Sequence, residues 1–84
     1  MLDEFNIVKA KALDDYKIYL MFQDGIEGIV DLSDLKGKGI FKLWDDYNEF
    51  KKVAIDPITQ TVCWNEQIDL DAINLKRDLM PLNN

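Results

Sequence analysis

The sequence has no histidine and only one cysteine, Cys63, among its 84 residues. Without histidine the chain cannot form a Ser-His-Asp triad, a Cys-His dyad or a zinc site with imidazole ligands. A single cysteine cannot close an internal disulfide bond or supply a four-thiolate metal site. Because these absences exclude most familiar catalytic and metal-binding arrangements, we expect no catalytic residues, no metal ion and no cofactor.

Basic residues and long apolar runs are also scarce. Ten lysines and arginines stand against sixteen acidic residues, a formal net charge of -6, and this balance argues against direct binding to nucleic acid. No apolar run is long enough to span a bilayer, and residues 1–5 lack the features of a signal peptide. We therefore expect a cytoplasmic chain that does not bind membranes. The length predicts one small domain over residues 1–84.

The first half of the sequence is typical of β-strands. In residues 8–12 the apolar Val8, Ala10 and Ala12 alternate with lysines. The next run, residues 16–23, has apolar side chains on both faces, which predicts a central strand covered on both sides: Ile18, Leu20 and Phe22 on one face, Tyr19 and Met21 on the other. Asp24-Gly25 then predicts a hairpin turn into a strand over residues 26–32. A two-residue loop would pair Leu20 with Ile29, and a longer loop would shift this register; the sequence leaves both open.

The second half mixes helical and strand patterns. After an exposed loop at residues 33–39, an apolar stripe predicts one short helix, through Ile40, Leu43, Trp44 and Tyr47. Strands are predicted at residues 53–55, 61–64 and 68–70, with a turn at Asp56-Pro57. Asp71 is the predicted N-cap of a final helix from Ala72 to about Met80, whose buried side would be Ile73, Leu75, Leu79 and Met80. Pro81 marks its end.

These elements favour a two-layer α+β domain. The short connections predict a mostly antiparallel sheet of about five or six strands, with a short middle helix and a C-terminal helix.

The order of several residues resembles a known bacterial family, catalogued as domain of unknown function 2442. The resemblance covers roughly residues 5–79, and the residues that carry it include Phe22, Asp24, Gly25, Asp31, Leu43, Phe50 and Trp64. It implies a small α+β domain in which these residues are structural, and it brings no catalytic residues. It also implies a neighbouring small protein and hence a paired, toxin–antitoxin-like role. The segment Asn65-Glu66-Gln67 departs from the family pattern because it has no tight-turn residue after the tryptophan.

Acidic pairs and the lone cysteine are the remaining candidates for chemistry. The pairs are Asp14-Asp15, Asp45-Asp46 and Asp69 with Asp71. None has the spacing of a calcium-binding EF-hand loop, so we interpret them as a turn, a solvated helix face and a helix cap. A carboxylate-based enzyme needs two acids across a cleft and is kept as an alternative. Cys63, between two apolar residues, is interpreted as a core residue.

The favoured function is a non-catalytic interaction module that binds a protein partner or itself. Candidate contact residues are Tyr47 and Trp44 in the aromatic-rich segment, and Lys36 and Lys38 in the glycine-containing loop. Tyr47 is the expected exposed anchor, and a sheet edge is the other expected docking site. A second hypothesis is an antitoxin-like or regulatory component that acts with a basic partner.

Overall fold

The computed structural model describes residues 5–35, 37–65 and 68–82. These residues form two antiparallel sheets. The first sheet has four strands in the order β1-β2-β3-β7: β1 (Ile7–Ala12), β2 (Lys17–Phe22), β3 (Glu27–Asp31) and β7 (Met80–Pro81). The second sheet has three short strands: β4 (Ala54–Ile55), β5 (Val62–Trp64) and β6 (Ile68–Asp69). The helices are two 3-10 helices (Asp14–Tyr16 and Gly39–Asp45), α1 (Tyr47–Phe50) and α2 (Ala72–Asp78).

The predicted α+β class and antiparallel pairing are confirmed, with one difference in the sheet. Instead of one sheet of five or six strands, the described residues form seven strands that are divided between two sheets. The strands of the second half are two or three residues long and pair with their sequence neighbours. The two sheets meet where the Ile7 amide donates to the Gln60 carbonyl oxygen, at 2.9 Å.

The first strand contains a β-bulge that the alternating pattern did not predict. Ile7 pairs with Phe22 and Lys9 pairs with Met21, so Val8 is an extra residue in β1. A bulge shifts which side chains face the core. Ile7 is consequently buried, while Val8 is exposed and does not share a buried face with Ala10 and Ala12.

The hairpin between β2 and β3 has a three-residue loop, and this resolves the open register. Leu20 pairs with Gly28 rather than Ile29. The Gly25 amide donates to the Phe22 carbonyl at 2.9 Å, and Gly25 has a φ of 92°. A type I turn followed by a left-handed glycine is a common three-residue hairpin loop, and glycine adopts that φ without a Cβ clash.

The middle and final helices are both shorter than the patterns predicted. Asp46 separates a 3-10 helix from α1 because its side chain accepts the Asn48 amide as an N-cap, at 3.0 Å. A 3-10 helix has three residues per turn, so the predicted stripe is not continuous and Ile40 is 54% exposed. α2 ends at Asp78, and Met80 lies in β7 instead of on a buried helix face. Among the described residues no helix is long and apolar enough to cross a membrane.

The core lies between the inner face of the first sheet and the layer formed by the second sheet and the helices. Its largest fully buried side chains include Trp44, Trp64, Phe22 and Phe50. Their rings pack in edge-to-face, tilted and stacked contacts, such as Trp44 with Trp64 at 4.8 Å between centroids. α2 contributes Leu75. Because the large aromatics fill one side of the first sheet, the opposite side of that sheet is left to face outward.

Candidate interaction surface

The first sheet has an outer face whose side chains alternate away from the core. The pairing registers place cross-strand partners on the same face, since opposed residues of paired strands point the same way. One row across the sheet contains Lys11, Tyr19, Ile29 and Met80, and the row beside it contains Lys9, Met21, Glu27 and Leu82. A third row contains Lys17 and Asp31. We call these ten residues the outer face.

The apolar part of the outer face is partly open to solvent. Tyr19, Met21 and Ile29 are half-buried and lie outside the core cluster. Met80 is 51% exposed and Leu82 is 49% exposed. Their neighbours in sequence alternate to the inner face, where Leu20 and other strand residues are fully buried. The outer face therefore presents apolar surface of the kind that binding partners cover.

Charged residues divide the outer face into two halves. β1 contributes Lys9 and Lys11, which are exposed, and β2 contributes Lys17 at the end of its run. β3 contributes Glu27 and, opposite Lys17, Asp31. Along the strands the β1–β2 half thus has three lysines and no acid, and the β3–β7 half has two acids and no lysine.

A hydrogen bond joins the two halves at the centre of the face. The Tyr19 hydroxyl donates to Glu27 Oε1 at 2.7 Å. This bond stabilises the neutral phenol beside a carboxylate and raises the pKa of Tyr19 above its ordinary value, with desolvation adding to the effect. The bond holds the Tyr19 ring against the sheet and leaves the second carboxylate oxygen of Glu27 available to a partner.

The aromatic contact residues predicted from the sequence lie on the core side of the sheet. Trp44 is fully buried, so its side chain is not available to a partner at the surface; the reason is its ring packing with Phe41, Phe50 and Trp64. Tyr47 is half-buried rather than a protruding anchor. Its hydroxyl donates to the Leu13 carbonyl oxygen, and burial, followed by the charge of Asp14, raises the pKa of its phenol.

The two predicted lysines of the loop are separate from the outer face. Lys38 is exposed and immediately precedes the second 3-10 helix, with its amide donating to the Leu35 carbonyl at 3.1 Å. Lys36 lies outside the described residues.

The seven residues that carry the family pattern have structural positions. Phe22, Phe50 and Trp64 are fully buried, and Leu43 packs against the core. Asp24 and Gly25 form the hairpin loop. The Asp31 side chain accepts the Ser33 amide at 2.9 Å, and this bond lowers the pKa of the Asp31 carboxyl.

The acidic pairs do not form a metal site within the part of the chain that the structure describes. There, no three acidic or cysteine side chains come together as ligands. Asp14, Asp15 and Asp31 border a wide, open depression beside Lys17 and Tyr47. Cys63 is half-buried in β5 and is not in a disulfide bond.

The sequence pattern indicated little of the outer face. The pattern predicted a covered face for Tyr19 and Met21 and the buried side of a helix for Met80. The alternation of Met80 and Leu82 around Pro81 was the available signal for an extended segment, since proline is tolerated at a sheet edge.

These features define a small α+β protein whose larger sheet has one packed and one open face. The family model described as "Protein of unknown function (DUF2442)" matches residues 7–79 of the chain. The chain belongs to this family, so the resemblance drawn from the order of Phe22, Asp24, Gly25 and the later aromatics is confirmed. Comparisons with curated proteins and with solved structures gave no match.

Proposed function

We propose that this chain is a non-catalytic protein-interaction module and that the outer face of its first sheet is the binding surface. The observation that carries the proposal is the partly exposed apolar row of Tyr19, Ile29 and Met80, flanked by charged residues. An apolar patch with a polar surround is the usual anatomy of a protein interface.

Binding on this face is favoured over addition of a strand at the β1 edge. β1 has lysines at Lys9 and Lys11, and lysines on an edge strand discourage pairing with another strand. The bulge at Val8 also interrupts the edge, which weakens it further as a template. The β2–β3 and β3–β7 pairings have no bulge, so the apolar row of the outer face is continuous across them.

Site-specific photocrosslinking in the native cells tests the proposal. A photoreactive p-benzoylphenylalanine replaces Met80 on the outer face, and in a matched control it replaces Asn48. Asn48 is also exposed but lies on α1, whose Phe50 packs into the core on the other side of the sheet. We expect a discrete adduct from position 80 and none from position 48, with the second component identified by mass spectrometry. No adduct from position 80, or equal adducts from both positions, would contradict the proposal.

A further inference from the structure

We propose that the partner on the outer face is a second copy of this chain, held by a two-fold axis that runs parallel to the strands between β2 and β3. The inference rests on the proposed function and adds the identity of the partner. It is carried by the division of charge on the face, which is complementary to itself.

The two-fold operation places the β1–β2 half of one copy over the β3–β7 half of the other. Stacked sheets keep their strand directions within about 30° and lie about 10 Å apart, so side chains in one row meet the same row of the second copy. Lys9, Met21 and Glu27 share a row. Lys9 of each copy therefore comes within side-chain reach of Glu27 in the other, which makes two equivalent charge pairs in an isologous interface.

The apolar residues match under the same operation. Tyr19 pairs with Ile29 across β2 and β3, so the two-fold axis between these strands puts Tyr19 of one copy over Ile29 of the other. Met80, at the β7 edge, comes over the alkyl chain of Lys11, which covers apolar surface while its amine stays in water. A two-fold axis across the strands would instead place β1 over β1 and oppose lysines to lysines, so the charges select the first arrangement.

The size of the face sets the expected strength. A stable interface buries about 800 Å² on each partner, whereas this sheet is only four strands wide and one of its strands is two residues long. We therefore expect a reversible dimer that dissociates on dilution and is weakened by salt, because partly exposed charge pairs are screened.

Sedimentation of charge-swapped variants tests the arrangement. The wild-type chain is expected to approach twice its 9.8 kDa mass as its concentration rises. Lys9→Glu opposes two carboxylates and Glu27→Lys opposes two amines, so each variant alone should weaken dimerisation by at least about tenfold. An equimolar mixture of the two variants makes both pairs opposite in sign and should dimerise again. The double variant Lys9→Glu/Glu27→Lys should also dimerise.

The variants carry their own controls. Glu27→Lys also removes the acceptor of the Tyr19 hydroxyl, but this loss is present in the mixture too, so recovery there reports on pairing between chains. Circular dichroism and thermal unfolding check that each variant is folded. If a single variant unfolds, dimerisation of the double variant still tests the arrangement. Single variants that dimerise as well as the wild type, or a mixture that does not recover, would overturn the arrangement.

The photocrosslinking experiment separates failure of the dimer from failure of the proposed function. An adduct of two copies from position 80 supports both. A monomeric wild type with a discrete adduct to a different protein overturns the dimer and supports the interaction module. A monomeric wild type with no adduct overturns both.

Discussion

Lys76 Nζ lies 2.6 Å from Asp24 Oδ2, an ion pair that ties α2 to the hairpin loop between β2 and β3. The same ammonium group lies 5.2 Å from the centre of the Phe22 ring and 5.1 Å from that of Phe5, within the range of a cation–π contact. Asp24 also accepts the Ile26 amide through its other oxygen, at 3.0 Å. One carboxylate thus stabilises both the turn and the packing of the final helix on the first sheet.

This ion pair predicts an acid-dependent loss of stability. The hydrogen bond from Lys76, with that from the Ile26 amide, holds the pKa of Asp24 below its ordinary value of 3.8. Because the folded-state pKa is lowered, the contribution to stability is complete above the unfolded-state pKa and is lost as pH falls through the folded-state pKa. Asp24→Asn keeps an acceptor for Ile26 but not the charge. We expect it to be less stable than the wild type at pH 7, and the difference to shrink as the pH falls through the folded-state pKa of Asp24, measured by urea unfolding.

A surface ion pair supplies the control for this pH profile. Arg77 and Asp78 are 3.6 Å apart and their side chains are 70% and 63% exposed, and such pairs contribute little to stability. Asp78→Asn should therefore leave the profile unchanged. Lys76→Met keeps much of the alkyl packing but also loses the contacts of the ammonium group with the Phe5 and Phe22 rings, so it should lose at least as much stability at pH 7 as Asp24→Asn. The double variant should lose less than the sum. Additive losses would show that Lys76 and Asp24 do not stabilise the fold through their interaction.

The two buried tryptophans are predicted to differ in their tolerance of phenylalanine. Both are fully buried, but Trp64 Nε1 donates to the Phe50 carbonyl oxygen at 2.8 Å, and Trp44 Nε1 has no hydrogen-bond partner among the described residues. Trp64→Phe leaves a buried carbonyl unsatisfied, a cost of about 1–3 kcal/mol. Trp44→Phe removes an unsatisfied donor and loses a similar volume. We expect Trp64→Phe to lower the free energy of unfolding by about 1–3 kcal/mol more than Trp44→Phe does.

Urea unfolding measures this difference, and an isosteric analogue isolates the hydrogen bond from the packing. Benzothienylalanine has the shape of tryptophan without the N–H group. Placed at position 64 it should destabilise the protein, and placed at position 44 it should not. Equal effects at the two positions would refute the assignment of the hydrogen bond.

Local side-chain chemistry explains why some elements were predictable. Asp71 was predicted as the cap of the final helix, and its Oδ1 accepts the Ile73 amide at 3.0 Å. Asp24-Gly25 likewise specified a turn, because glycine is needed at the positive φ. The hairpin register was not predictable, since two- and three-residue loops both fit this dipeptide.

Elements set by distant contacts were not predictable in the same way. β7 exists because Met80 and Pro81 reach Ile29 and Gly28, about fifty residues away in sequence, and the local sequence indicated only the end of a helix. The outer face depends on this pairing for Met80 and Leu82. The candidate surface was therefore largely hidden from sequence patterns, although its lysines and its central Tyr19 were correctly placed on strands.

Tyr47 is predicted to be a structural residue, not a binding residue. Its hydroxyl donates to the carbonyl of Leu13, and its ring packs on Tyr16 and Phe50 at 5.5 Å and 5.8 Å between centroids. Tyr47→Phe should lower the midpoint of thermal unfolding and leave sedimentation of the chain unchanged. Lys38 is an exposed residue that the sequence also indicated as a candidate contact. Lys38→Ala should change neither the unfolding midpoint nor the sedimentation. A loss of association in Tyr47→Phe without a loss of stability would show that Tyr47 is a binding residue.

Gly28 is predicted to be the residue that permits β7 to dock and so completes the outer face. A Cβ at this position would lie 2.3 Å from the Met80 carbonyl oxygen and 2.7 Å from Leu79 Cγ, so Gly28→Ala must displace backbone at a cost of about 1–3 kcal/mol. We expect the displaced segment to lose its pairing with β3. The Leu82 amide, which donates to the Glu27 carbonyl at 3.1 Å, should then exchange with deuterium faster than in the wild type.

Gly25→Ala is the comparison for this substitution, because it separates general destabilisation from displacement of β7. A Cβ on Gly25 meets no atom within 4 Å, but its φ of 92° disfavours alanine, so this variant should also lose about 1–2 kcal/mol. Its Leu82 amide should remain protected in the folded state, since nothing near β7 has moved. If the Leu82 amide stayed protected in Gly28→Ala as well, the pairing of β7 with β3 would not depend on glycine at position 28. The prediction would then be wrong.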